Sequence, residues 1–173
     1  MKLLAFGAST SSTSINRQLA NFAANQVADA EVTDLDLSQF SLPIYSSDEE
    51  EANGIPAYAR AFKDLITSHD GIVVSLAEHN GSYAAAFKNL YDWVSRIDQS
   101  VWADKPMLLL STSPGGRGGM TVMDAAKATF PRMGADLKAS FSLPSFYDNF
   151  SPEGIADAGL ADQLTEAIQT LSA

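Results

Sequence analysis

The chain has 173 residues, enough for one domain with a full core, and nothing in its composition asks for two. Hydrophobic residues make up 46% and charged residues 18%, which excludes a disordered chain, and the lack of cysteine excludes disulfides, thiolate nucleophiles and cysteine-held metal sites. A formal net charge of -10 repels polyanions, so neither nucleic acid nor an anionic membrane is an expected partner.

That diffuse field does not exclude a small phosphorylated ligand, because backbone N–H groups at a helix start act locally. No apolar run reaches membrane-spanning length, and the stretch after Met1 and Lys2 is too short for a signal peptide, so a cytoplasmic protein is expected.

The segment KLLAFGAS (2–9) predicts a short buried strand that breaks at Gly7 into a hydroxyl-rich loop. A helix follows, with Leu19, Phe22, Ala23 and Val27 at helical spacing. AEVTDLDL (30–37) predicts a second strand, and residues 38–54 a long loop before a helix over about 55–68. The acidic run from Asp48 to Glu51 reads as solvated loop or first helical turn, not as a metal site. DGIVVSL (70–76) is a β-branched run suited to a central strand. YAAAFKNLYDWVSRI (83–97) then places Tyr83, Phe87, Leu90 and Val94 on one helical face, with Lys88, Asp92 and Arg96 spaced as a salt-bridge ladder. KPMLLLSTS (105–113) predicts a fourth strand, residues 120–133 a helix, LKASFSLP (137–144) a fifth strand, and IADAGLADQLTEAIQTL a closing helix.

Five strands alternating with five helices imply a parallel sheet covered on both faces. Right-handed crossovers leave few topologies, and the flavodoxin-like order 2-1-3-4-5 fits the count. The expected fold is therefore α/β, a flavodoxin-like three-layer sandwich formed by residues 1–173 as a single domain.

In such a sheet ligands bind beyond the carboxyl ends of the strands, where the loops after strands one, three and four meet. The first, GASTSSTSIN (7–16), carries six consecutive hydroxyl side chains, Ser9 to Ser14, ahead of a helix. It reads either as a phosphate cradle or as a Ser/Thr-rich turn ending in an N-cap. It is neither a Walker loop nor a GxGxxG turn. The second, AEHNGS (77–82), holds one of the chain's two histidines, His79. Gly81 there permits a positive φ or a close approach, and Asn80 or Ser82 is expected to cap the next helix. The other histidine, His69, reads as a helix-end residue. The third loop, STSPGGRGG (111–119), has four glycines and so lets backbone approach a ligand closely. Together the three loops point to a phosphate at one end and a flat heterocycle at the other.

The spacing of Ser9, Ser14, Asn16, Leu19 and Ala20 resembles the first loop of the NAD(P)H-dependent FMN reductases, which include quinone, azo-dye and chromate reductases. EHNGSYAAAFKNLYDWVSR (78–96) resembles their second signature, and STSPGGRGG their third. The resemblance implies bound FMN, with its phosphate on Ser9, Ser11, Ser14, Ile15 and Asn16. It places the isoalloxazine ring against Ala77, Glu78, His79, Asn80 and Gly81, and against Ser111, Ser113, Gly115 and Arg117 of the third loop. It also implies a homodimer or homotetramer and a small-molecule electron acceptor. NADPH or NADH would reduce the flavin, leave, and be replaced by a quinone in a ping-pong cycle through flavin N5. No catalytic side chain and no metal are expected, since the flavin carries the chemistry.

Two departures from the pattern stand out. Ser11 occupies a position where the family commonly has arginine, which leaves other hydroxyls or Arg17 to compensate. Ala77 and His79 replace a proline and a tyrosine. Trp93, Trp102, Phe146 and Tyr147 are candidates for a pocket wall but read more simply as core or interface. Two other functions fit the residues: a flavodoxin-like FMN electron carrier with an acidic docking surface, or a non-catalytic module that binds cofactor weakly.

Overall fold

The computed structural model describes residues 1–171. Five strands alternate with the principal helices: β1 (Lys2–Ala8), α1 (Ile15–Ala24), β2 (Glu31–Leu35), α2 (Ser47–Asn53), α3 (Ala57–Ser68), β3 (Gly71–Leu76), α4 (Ala85–Ile97), β4 (Lys105–Thr112), α5 (Met120–Thr129), β5 (Ala135–Leu143) and α6 (Ala158–Leu171). All strand pairs in the main sheet are parallel, in the order β2-β1-β3-β4-β5. This is the expected 2-1-3-4-5 flavodoxin-like arrangement.

The strand sequences explain the three layers. Side chains alternate across the sheet with period two. Leu4 and Phe6 of β1 join Ile72, Val74, Met107 and Leu109 against Phe62 of α3 and Phe87 and Trp93 of α4. Leu3 and Ala5 join Val73, Leu108 and Leu110 against Leu19 of α1 and Leu164 and Ile168 of α6. β3 is buried along its whole length, as its unbroken apolar run demands of a central strand with helices on both faces. Each large side chain sealed in these layers contributes about 1.5–3 kcal/mol.

The connections differ more from expectation than the strands do. Part of the loop at 38–54 is helical: Ser46 Oγ accepts from the Glu49 N–H, Asp48, Glu49 and Glu50 lie in the first turn, and Gly54 ends α2 at φ 71°. No residue of α2 is buried, so it has no apolar stripe to betray it. The helix expected over 120–133 is α-helical to Thr129 and tightens into a 3-10 turn over Phe130–Met133, where Pro131 has no N–H to donate. Of the expected ladder on α4, Lys88 pairs with Asp92 at 2.7 Å, whereas Arg96 turns away to Glu50 at 2.9 Å.

Candidate functional site

The carboxyl ends of β1, β3 and β4 open onto a cleft of about 230 Å³. Gly7 is the next-to-last residue of β1. A Cβ there would overlap the backbone of Asn16 and Arg17, so glycine is what lets the first turn of α1 lie against the strand end. Ser14 caps that turn, its Oγ accepting from the Arg17 N–H at 3.1 Å. The N–H groups of Ile15 and Asn16, ahead of the first intrahelical bond, face the cleft end of the helix dipole. Ser9, Ser11 and Thr13 add hydroxyls from the same loop.

Asn16 is the joint of the site. Its side chain is only 3% exposed. Oδ1 accepts from the Ser75 hydroxyl at 2.7 Å and from the Thr112 N–H at 3.0 Å, while Nδ2 donates to the Thr112 carbonyl at 3.2 Å. One carboxamide therefore fastens α1 to β3 and β4. Its engagement makes the side chain a strut beneath the cleft, leaving the backbone N–H as its free donor.

After β3, Glu78–His79 pairs antiparallel with Ser82–Tyr83 in a short hairpin. Asn80 at φ 52° and Gly81 at φ 74° form its two-residue turn, a geometry that favours an Asn-Gly pair. The expected capping by Asn80 or Ser82 does not occur, because the hairpin delays α4 until Ala85, with Ala84 at its N-cap and no side-chain bond. The Glu78 carboxylate instead accepts from the Val122 N–H at 2.9 Å, inside the first turn of α5. His79 lines the cleft with its ring exposed.

The glycine-rich loop is pinned from below. Buried Ser111 donates to the Gly118 carbonyl at 2.7 Å, Ser142 donates to the same oxygen at 2.9 Å, and Thr112 Oγ1 donates to the Leu143 carbonyl at 2.7 Å. Gly118 at φ 58° and Gly119 at φ 78° then lead into α5. From the side, the N–H groups of Ser145 and Phe146 donate to the carbonyls of Gly115 and Ser113, both at 3.0 Å.

The cleft thus gathers Ser9, Ser11, Ser14, Ile15 and Asn16 from the first loop. Ala77, Glu78 and His79 line it from the second, and Ser113 from the third. Asn80 and Gly81 sit at the exposed hairpin tip, and Gly115 and Arg117 on the open side of their loop, away from the lining. Ser111 is under the loop rather than in the cleft. The expected site residues leave out Thr13, Thr112 and Pro114, which line the cleft from within the stretches already singled out. Tyr147 flanks the mouth and is 72% exposed, whereas Phe146, Trp93 and Trp102 are core residues.

Arg17 does not compensate for Ser11. Its Nε and Nη2 donate to the two oxygens of Asp34 at 2.8 and 2.9 Å, and Nη1 lies 2.9 Å from Asp36. The Asp34 hydrogen bonds hold the guanidinium pKa above its ordinary value. Burial raises the Asp34 pKa, but bonds from Arg17 and Asn21 outweigh it, so the carboxyl lies below the usual range. The hydrogen bond from the Ser38 region, with help from Arg17, lowers Asp36 as well. His69 ends α3 as expected, with Nδ1 bonded to the Leu65 carbonyl at 2.7 Å and Nε2 to Thr33 Oγ1 at 2.8 Å.

The model of the NADPH-dependent FMN reductase family matches residues 1–148, spanning all three loops. The chain belongs to that family. A 2-hydroxy-1,4-benzoquinone reductase of Burkholderia sp is 38% identical over 107 residues, covering 61% of this chain and 56% of its own length. A quinone reductase of Escherichia coli K12 is 36% identical over 78 residues, 45% of this chain and 42% of its own length, so the match spans about half of these relatives. An NADPH:quinone oxidoreductase of Arabidopsis thaliana is 29% identical over 165 residues, 93% of this chain and 83% of its own. Among solved structures, the flavoenzyme NAD(P)H:(acceptor) oxidoreductase FerB of Paracoccus denitrificans superposes with a TM-score of 0.73 at 22% identity, covering 99% of this chain and 97% of its own. A flavodoxin of Pseudomonas aeruginosa does so at 0.59 and 16% identity, with both chains fully covered. These likenesses establish the flavodoxin-like fold.

Proposed function

We propose that this FMN reductase family member is an FMN-dependent NAD(P)H oxidoreductase that reduces quinones and similar small acceptors by ping-pong transfer in one open cleft. The observation that carries the proposal is the seating of α1 on Gly7: it brings a capped helix N-terminus, free N–H groups and a run of hydroxyls to one end of a cleft whose other end is bounded by an exposed hairpin. These residues fit FMN. The phosphate would lie on Ser9, Ser11, Thr13 and the Ile15 and Asn16 N–H groups, and the ring between the hairpin at Glu78 and His79 and the loop at Ser113. Hydride acceptance from NAD(P)H and its delivery to the acceptor are supplied by the flavin when bound.

The chain's own contribution is placement. Asn16, Ser111 and Glu78 hold the three loops at fixed separation, and the open mouth beside Tyr147 admits donor and acceptor in turn. No helix among the described residues is long and apolar enough to cross a membrane. We place the enzyme in the cytoplasm, acting as a homodimer or homotetramer, and leave both nicotinamide nucleotides as donors. The test is an absorbance titration with FMN followed by anaerobic NADH or NADPH and then a quinone. Saturable binding, bleaching near about 450 nm and reoxidation by the quinone are expected. Failure of the pyridine nucleotides to bleach bound flavin would favour the electron-carrier function instead.

A further inference from the structure

We propose that the phosphate end of this cleft is an anion site built without any cationic side chain, so that salt does not weaken FMN binding. The inference rests on the FMN-binding function proposed above and concerns the chain's own charges. Among the described residues no lysine or arginine lines the cleft, and the one carboxylate that does, Glu78, is engaged with α5. Arg17 starts in the right helix but is withheld. Its guanidinium lies in a neighbouring groove with Ser12, Gln18 and Asn21, on the far side of Thr13 and Ser14. There two carboxylates, Asp34 and Asp36, face one guanidinium, so that the cluster carries a net negative charge. Arg117 is exposed and bonded to Thr121 at 3.2 Å.

A phosphate in the cradle therefore meets hydroxyls and backbone N–H groups only, within a chain of net charge -10. Bonds from neutral N–H and O–H donors to a phosphate oxygen are still charge-assisted, because the acceptor is ionised. They are also local, whereas a charge pair near the surface is screened by salt. Two consequences follow from that difference. FMN should bind more tightly than riboflavin, which lacks the phosphate, and salt should not reduce that preference.

Ser11 is the position at which a cation is easily restored, since it is exposed and its hydroxyl makes only long bonds, 3.3 Å from the Thr13 N–H and 3.4 Å from the Thr13 hydroxyl. The experiment is fluorescence titration of FMN and riboflavin into the wild-type protein and into Ser11→Arg, from about 0.02 to about 0.5 M salt. For the wild type, FMN is expected to bind more tightly than riboflavin, and its Kd should not rise by more than about threefold across the salt range. Ser11→Arg should tighten FMN by about ten- to hundredfold at low salt, lose most of that gain at high salt, and leave riboflavin unchanged. A wild-type preference for FMN that collapses with salt would overturn the inference while leaving the proposed oxidoreductase intact. If neither protein binds either flavin, the inference and the function beneath it fall together.

Discussion

Replacing Asn16 with alanine tests the idea that one buried carboxamide holds the site together. The substitution leaves the Ser75 hydroxyl and the Thr112 N–H without their shared acceptor, and the Thr112 carbonyl without its donor. A buried polar group left unpaired costs about 1–3 kcal/mol. Two lost acceptor bonds would give about 2–6 kcal/mol, and water entering from the adjoining cleft relieves part of it. The expected loss is about 2–4 kcal/mol, or a fall in Tm of roughly 4–16 °C. Asn16→Asp separates bonding from packing. It keeps the acceptor but turns a charge toward the Thr112 carbonyl, so its deficit should shrink in mild acid, where the protonated carboxyl can donate there. Urea unfolding followed by circular dichroism, on apoprotein, measures both. An Asn16→Ala protein within about 0.5 kcal/mol of wild type would refute the strut.

Gly7→Ala should push the first turn of α1 off β1, costing about 1–3 kcal/mol and weakening flavin binding together; urea midpoints and a flavin titration that both match wild type would show that the turn is not fixed there. Asp34 and Asp36 have lowered pKa values, so their contribution is present above the ordinary carboxyl range near about 4 and is lost as pH falls through their folded values. Asp34→Asn should accordingly flatten the acid limb of a stability profile taken by urea unfolding, and an unchanged limb would assign acid sensitivity elsewhere. The Tyr91 hydroxyl is buried with no partner, and burial pushes its pKa up to about 12. Tyr91→Phe should cost nothing and gain up to about 1 kcal/mol, whereas a loss of that size in thermal unfolding would mean the hydroxyl is bonded after all.

The sheet was legible in the sequence because buried strands write themselves as apolar runs: GIVVSL and MLLLS have few other uses. The helices that pack on them, such as α4 with Phe87, Leu90 and Val94, were legible for the same reason. α2 was not, since a helix held by Ser46 and its acidic first turn buries nothing and has no period to detect. The hairpin at Glu78–Tyr83 hid because two-residue ladders are shorter than any alternation, although Asn80-Gly81 is its standing signal. For the site, the three loops could be found but the division of labour within them could not. The side chains of Asn16, Ser111 and Glu78, expected against FMN, are bonded to other parts of the chain as braces. Arg17 looks like a spare cation until Asp34 and Asp36, 17 and 19 positions on, arrive beside it.

The brace also bears on the order in which the molecule can assemble. Asn16 meets Ser75 across 59 positions of chain and Thr112 across 96. α1 can wind early from its own residues, but its first turn is locked only when the fourth strand has entered the sheet, and pairings so distant in sequence close late. A nascent polypeptide therefore has its hydroxyl loop long before it has a cradle. Flavin capture is therefore expected only once the sheet is complete.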